Sequence, residues 1–466
     1  MQRSSRVAID EASWIALEPG RGETLRAALR RTLRDAIRAG ALREGVRLPA
    51  SRVLARQLGV SRGVVSDAYE QLEAEGFLIV EGRAAPVVAA VGPPRVGRSS
   101  TESSVASLPR YDLSPTTPDV TVFPTRRWLA AYDRVARQAS AATFDYREPR
   151  GERTLRETLA DRLGRTRGAI ADPEQIVVVQ GTAQGVDLLL RSLKARGATR
   201  IAVENPSHTT QHERVRAHAL ELAAQPVDAR GVVVDGLVAD ALLLTPAHQF
   251  PTGCVLSGER RRSLLRWAVS SDALLIEDDY DAEFRYDREP VRALQGLATD
   301  HVVQLGTVSK TLAPSIRLGW VIAPHWLVDD IERAKRLADD FSPALDQLAL
   351  ARLIASGEYD RHLRRARAIY RRRRDALVCS LAAHLPELPV EGIAAGVHLT
   401  LRLPRGCDDT AIVADAARAR ILVEPLSRFY VGATDERGLV IGYGRLHESA
   451  VDDVAQALAR VVRCHL

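Results

Sequence analysis

The chain has 466 residues, 46% hydrophobic and 27% charged, with a formal net charge of +6 at pH 7. That composition belongs to a globular protein of two or three domains and excludes disordered, collagen-like and disulfide-built chains. No apolar run is long enough to cross a bilayer, the first residues do not read as a signal sequence, and the four cysteines lack paired or metal-ligand spacing. A cytoplasmic protein with reduced thiols, no membrane partner and no metal site is expected. The small positive charge permits nucleic-acid binding without deciding it.

The first helix is predicted over 24–39, where Leu25, Leu29, Leu33, Ala36 and Ile37 recur at helical spacing before Gly40. A second short helix follows Arg47 and opens near Ser51 and Arg52, with Val53, Leu54 and Leu58 expected inward. Gly59 and Val60 make a tight turn, and Ser61 is placed to cap a third helix. The apolar face of that helix is Val64, Val65, Ala68, Tyr69 and Leu72. Segments 77–80 and 86–88 read as two strands around a basic tip at Arg83. Helix, helix–turn–helix and two-stranded wing together describe a winged helix–turn–helix over 12–90. Such modules insert the N-terminal side of the third helix, here Arg62, Gly63 and Ser66, into the major groove. Arg47, Arg52, Ser61 and Arg83 complete the candidate contacts to a double-stranded DNA operator.

Between 91 and 110 glycine, proline and serine dominate and apolar periodicity disappears, as in a flexible linker. The body then alternates helical stretches with short apolar runs at 176–179, 201–203, 241–245, 274–276 and 302–305. That is the signature of a buried parallel sheet in an α/β domain, assigned to 111–345. A long arginine-rich helix at 359–385 and glycine-punctuated strands at 397–403 and 439–443 suit a smaller α+β domain over 346–466. The run Arg371 to Arg374 reads as a solvated helix face.

Lysine carries the chemical signal. Only Lys194, Lys310 and Lys335 occur among 65 basic residues. Arginine cannot become a free amine near neutral pH, so a lysine kept among small hydroxyl residues, as Lys310 is, suits a Schiff-base nucleophile. Arg317 and Ser309 nearby suit a phosphate cradle, and the combination points to pyridoxal phosphate. The chain offers the remaining parts at strand ends, where open α/β sheets bind ligands. Thr182 and Ala183 stand at a helix start suited to phosphate. The acidic run 277–279 offers a partner for a pyridinium, with no histidine or cysteine nearby in sequence to complete a metal shell. Tyr280 offers a donor to the 3′-oxygen, Thr307 a further phosphate donor, and Arg445 a clamp for a ligand carboxylate.

With "FDYREPRGERTLRETLADRL", "VVQGTAQGVDLL", "ENPSH", "LTPAHQFPTG", "IEDDYDAEF", "SKTLAPSIRLGW" and "GYGRL" in this order, the chain resembles the MocR-type, GabR-like bacterial regulators. These join a GntR-type winged helix–turn–helix to a body like fold-type-I aminotransferases. The resemblance implies that Lys310 is the Schiff-base lysine, that Asp278 meets the pyridine nitrogen and that Tyr280 meets the 3′-oxygen. It places Arg317, Ser309, Thr182 and Ala183 at the phosphate and Arg445 at the carboxylate of an amino-compound effector. It also implies a homodimer in which Tyr146 reaches the partner's phosphate. Three departures stand out: His208 occupies the place of a stacking tyrosine, Thr209 and Thr210 replace a basic residue, and Phe250 replaces the asparagine of true aminotransferases. A sensor of an amino compound, or of pyridoxal phosphate itself, is the expected function. A working aminotransferase with an accessory head, and a body that has lost its cofactor, are the competing readings.

Overall fold

The computed structural model describes residues 17–82, 84–90, 109–287 and 291–466. Arg83 and nearly all of the expected linker lie outside them. The chain divides into two compact units, up to residue 106 and from residue 107.

The first unit contains α1 (Leu25–Arg38), α2 (Ser51–Leu58), α3 (Arg62–Ala74) and an antiparallel pair, β1 (Leu78–Ile79) and β2 (Val87–Val88). Thr24 caps α1 by accepting the Ala27 N–H, and Gly59 ends α2 with a φ of 65°. Leu29, Leu33, Leu54, Val65 and Leu72 fill the core. The Tyr69 hydroxyl donates to the Pro49 carbonyl at 2.9 Å, tying α3 to the approach to α2. Two expected core positions are corrected: Val53 and Leu25 are 47% and 46% exposed. The buried stripes run through Leu54–Ala55 and Ala28–Leu29 instead; Val53 is rotated about 100° from Leu54, and Leu25, on the Leu29 face, is the first residue of α1, where the stripe has no preceding turn to pack beside. Ser61 occupies the cap position of α3, but its side chain makes no capping bond.

The second unit begins with β3 (Tyr111–Asp112), α4 (Thr125–Gln138) and α5 (Arg153–Arg167). Its large lobe continues through β4 (Ile176–Val179), α6 (Thr182–Ala195), β5 (Arg200–Asn205), α7 (Thr209–Ala217), β6 (Glu221–Asp228) and β7 (Gly231–Val232). Then come β8 (Ala241–Leu244), α8 (Gly258–Ser270), β9 (Leu274–Asp279), β10 (Val302–Thr307), β11 (Gly319–Ile322) and α9 (His325–Asp339). The eight strands lie in the order β4-β11-β10-β9-β8-β5-β6-β7. The sheet is mixed, not parallel throughout: β11 runs antiparallel to both β10 and β4, and β7 antiparallel to β6. All four residues of β11 are buried, so no alternation in the sequence distinguishes it from the strands that pair in parallel.

After α10 (Ala344–Ala355) and α11 (Glu358–His384) comes the smaller lobe: β12 (Val390–Glu391), β13 (His398–Leu403), α12 (Asp409–Arg418), β14 (Ile421–Leu422), β15 (Glu424–Pro425), β16 (Arg437–Gly442) and α13 (Val451–Arg463). Its antiparallel sheet has the order β12-β13-β16-β15, and β14 pairs with β3. The arginine run on α11 is not wholly solvated. Arg373 is buried, three residues after buried Tyr370 and four before buried Leu377. Its guanidinium meets Asp119 at 2.8 Å, which compensates the burial of charge.

Candidate active site and DNA-binding face

β9 separates its acids by the alternation of a strand. Glu277 and Asp279 fall on one side: Asp279 meets the Arg167 guanidinium at 2.8 Å, and Glu277 accepts the N–H groups of Leu294 and Gln295. Asp278 falls on the other side, into a cavity that it shares with Lys310, Tyr280, His208, Thr182 and Ala183. Thr116, Thr245, Phe250, Gln211 and Arg214 also line it.

Lys310 follows β10. Burial lowers its pKa, opposed by the charges of Asp281 and Asp278, so the free amine that attacks an aldehyde is more accessible than in water. Asp278 Oδ2 accepts from Gln211 Nε2 at 3.2 Å, while Oδ1 is buried with no hydrogen-bond partner. Burial, then the neighbouring Asp279 charge, raises the Asp278 carboxyl to about 7. A buried acid with an orphan oxygen suits a cationic ring nitrogen.

At the other end of this region, Gly181 enters α6 with a φ of 88°. A Cβ there would lie 3.5 Å from Arg317 Nη1 and 3.8 Å from Thr307 Oγ1. The Ser309 N–H donates to Thr307 Oγ1 at 3.1 Å, and the two hydroxyls lie 2.9 Å apart. Helix N–H groups, two hydroxyls and a guanidinium thus converge around Gly181. This group fits a phosphate, as the cavity fits a pyridine ring and an aldehyde.

His208 occupies the cap position of α7 without a capping bond, bonds Thr210 Oγ1 through Nδ1 at 3.0 Å and lies 5.2 Å from the Phe250 ring at 30°. Burial, then the Lys310 charge, lowers its pKa to about 4, so it is a neutral aromatic surface near pH 7. Tyr146 and Arg445 stand outside the cavity. Tyr146 is 84% exposed, with an edge contact to Phe341. Arg445 is ion-paired with Asp112 at 2.6 Å, beyond Gly444, which packs against the Thr117 carbonyl next to cavity-lining Thr116.

Several residues escaped the sequence reading. Gln211 lies one turn after His208 on α7 and needed only that helix to be placed. His248, Asp281 and His398 come from three distant segments, so no local signal joins them. Their potential ligand atoms lie within 4.8 Å of one another, a grouping made in space that nearness in sequence could not show. The His248–Asp281 pair is satisfied without an ion, His248 Nδ1 lying 2.9 Å from Asp281 Oδ2.

In the first unit Arg47, Arg52, Ser61, Arg62 and Gly63 are exposed and Ser66 is half-buried. Arg47, Arg52 and Arg62 make no ion pair among the described residues, whereas Arg26, Arg31 and Arg34 on α1 each meet a carboxylate. Exposed guanidinium groups without a carboxylate partner suit contact with phosphate and base edges.

A winged helix–turn–helix and an aminotransferase-like body in one chain define a transcriptional regulator built on an enzyme scaffold. The chain belongs to the aminotransferase class I and II family, which matches residues 116–458, and residues 25–88 match the bacterial regulatory proteins of the gntR family. It is 34% identical over 443 residues to the HTH-type pyridoxine biosynthesis transcriptional regulator PdxR of Corynebacterium glutamicum, covering 94% of this chain and 96% of that one. It is 32% identical to the probable rhizopine catabolism regulatory protein MocR of Rhizobium meliloti, covering 88% of each. Among solved structures, an archaeal alanine:glyoxylate aminotransferase superposes with a TM-score of 0.71 at 25% identity, over 76% of this chain and 91% of that one. The regulator reading therefore stands over that of an aminotransferase with an accessory head. No helix among the described residues is long and apolar enough to cross a membrane.

Proposed function

We propose that this regulator binds pyridoxal phosphate at Lys310 and changes its hold on DNA when an amino compound, or the cofactor itself, occupies the body. The observation that carries the reading is the convergence of Lys310, Asp278, Tyr280 and His208 on one cavity, beside a separate group of phosphate donors. Bound there, pyridoxal phosphate supplies an aldehyde for amines and an electron-withdrawing ring. Lys310 provides the amine, Asp278 holds the ring nitrogen protonated, Tyr280 donates to the 3′-oxygen and His208 stacks on the ring. Thr182, Ala183, Thr307, Ser309 and Arg317 bind the phosphate. Arg445 takes the effector carboxylate after exchanging Asp112 for it. The exposure of Tyr146 suits a homodimer in which it reaches the partner's phosphate. Arg47, Arg52, Ser61, Arg62, Gly63 and Ser66, with Arg83 of the wing tip, contact a repeated or inverted operator.

The experiment is the visible absorption spectrum of the full chain with pyridoxal phosphate, beside Lys310→Ala, followed by binding of both to an upstream DNA fragment. A cofactor band in the wild type alone, whose change with an amino compound tracks a change in DNA affinity, supports the reading. Identical spectra for the two proteins refute it.

A further inference from the structure

Phe250 fills its place beside the cavity with a ring that offers no hydrogen bond, packed on Phe429 and His398 at centroid distances of 5.0 and 5.1 Å. The Thr245 hydroxyl is committed to Glu204 at 2.8 Å. Recognition of a phenolic oxygen near Lys310 therefore falls to Tyr280, and what holds that hydroxyl becomes decisive.

A tyrosine hydroxyl has one proton to give and lone pairs to receive. The Tyr280 oxygen lies 3.3 Å from the His248 carbonyl and 3.4 Å from His248 Nδ1. An ionised carboxylate only accepts, so the 2.9 Å contact to Asp281 assigns the hydrogen to Nδ1. The same N–H lies 3.4 Å from the Tyr280 oxygen, a weaker contact that orients that oxygen without taking its proton. The carbonyl contact is long for O–H···O, whose usual distance is about 2.7–2.8 Å, so a ligand oxygen at normal distance takes the proton instead. Burial, then the charges of Asp281 and Asp278, then a hydrogen bond towards Asp281, raises the Tyr280 pKa well above its ordinary value and keeps the hydroxyl a donor; Glu204 acts in the same direction.

The smaller lobe locks this arrangement. A Cβ on Gly396 would fall 2.3 Å from His248 Cε1 and 2.5 Å from Asp281 Oδ2, so the approach to β13 closes directly on the pair. The Gly396 carbonyl accepts from the hydroxyls of Tyr443, at 2.8 Å, and Tyr286. The His398 ring packs 4.8 Å from that of His248, with neither ring nitrogen hydrogen-bonded, and burial, then the neighbouring His248, hold its pKa well below the ordinary value, so it stays neutral. A buried imidazole left this way costs free energy, and its packing against His248 gives the cost a purpose.

We propose that His248, oriented by Asp281, is a positioning residue that aims the Tyr280 hydroxyl at the phenolic oxygen of the cofactor, taking over the support that an asparagine at position 250 would give. This rests on the reading of the cavity as a pyridoxal phosphate site.

The test is a pH titration of the visible cofactor band in the loaded full chain, for wild type, Tyr280→Phe, His248→Phe, the double variant, Asp281→Asn and His248→Asn. Donation to an anionic oxygen stabilises the anion, so loss of the donor moves the titration to higher pH. Tyr280→Phe and His248→Phe are expected to shift it upward by at least about half a unit, roughly threefold in proton affinity. The double variant should shift no further than Tyr280→Phe alone, because both act through one hydroxyl. His248→Asn, whose amide N–H can replace Nδ1–H, should restore most of the wild-type value, and Asp281→Asn should fall between. Additive shifts, or a His248→Phe curve that overlays the wild type, overturn the proposal while leaving the cofactor site intact. If His248→Phe does not fold, a wild-type titration from Asp281→Asn overturns it equally. A wild type without any band removes the cofactor reading and this proposal together.

Discussion

Asp278→Asn should make the ligand-free protein more stable and the loaded protein less so. In the ligand-free cavity Asp278 is 8% exposed, one oxygen lacks a partner, and the carboxyl titrates near 7 against an unfolded value of 3.8. Its folded pKa is raised, so between about pH 4 and 7 the folded state holds a proton that the unfolded state has lost. Stability therefore falls as pH rises through that window and levels off above it. The difference of about three units corresponds to about 4 kcal/mol at pH 8, an upper value because water entering the cavity reduces it. Asparagine keeps the oxygen that accepts from Gln211 and removes the charge. Urea unfolding of the ligand-free chain should show the variant to be more stable by about 2–4 kcal/mol at pH 8, and by less than half of that at pH 5. With pyridoxal phosphate the order reverses, since the wild type gains an ion pair that the variant cannot form. A variant less stable than the wild type at pH 8, or an advantage independent of pH, refutes the reasoning.

Other expectations follow from the same structure. His208→Tyr should remove an acid sensitivity: with a folded pKa of about 4 against 6.5, His208 costs the ligand-free protein up to about 2 kcal/mol between pH 7 and 5, read as the change in unfolding free energy relative to the variant. Gly306→Ala should destabilise the body by about 3 kcal/mol or more, because its Cβ would sit 2.3 Å from the buried Trp320 ring; thermal unfolding measures this. In the DNA-binding unit, Leu29→Ala should cost about 2–5 kcal/mol of stability. Arg62→Ala should leave unfolding unchanged and lower the salt dependence of DNA binding by about one ion.

What the sequence made legible is what local pattern can encode. The three helices of the DNA-binding unit, the five apolar strands and α11 follow from periodicity, and Lys310 stands out because the chain has so few lysines. Asp278 and Tyr280 were reachable because they lie at the end of one strand. The antiparallel direction of β11 was not, since a strand buried on both faces reads the same in either direction. Nor was the buried contact of Arg373, whose partner Asp119 lies 254 residues away. The grouping of His248, Asp281 and His398 depends on two lobes closing on each other, which no spacing in the chain announces.

Thr307 at the end of β10 pairs with Gly319 at the start of β11, so the segment between them is a loop stapled at its base. Lys310 and Arg317 both ride on that loop. The amine and the guanidinium thus share one mechanical part, fixed within the larger sheet, whereas the groups around His248 are pressed from the smaller lobe. A rocking of that lobe would leave the anchorage untouched and retune only the surroundings of the ring.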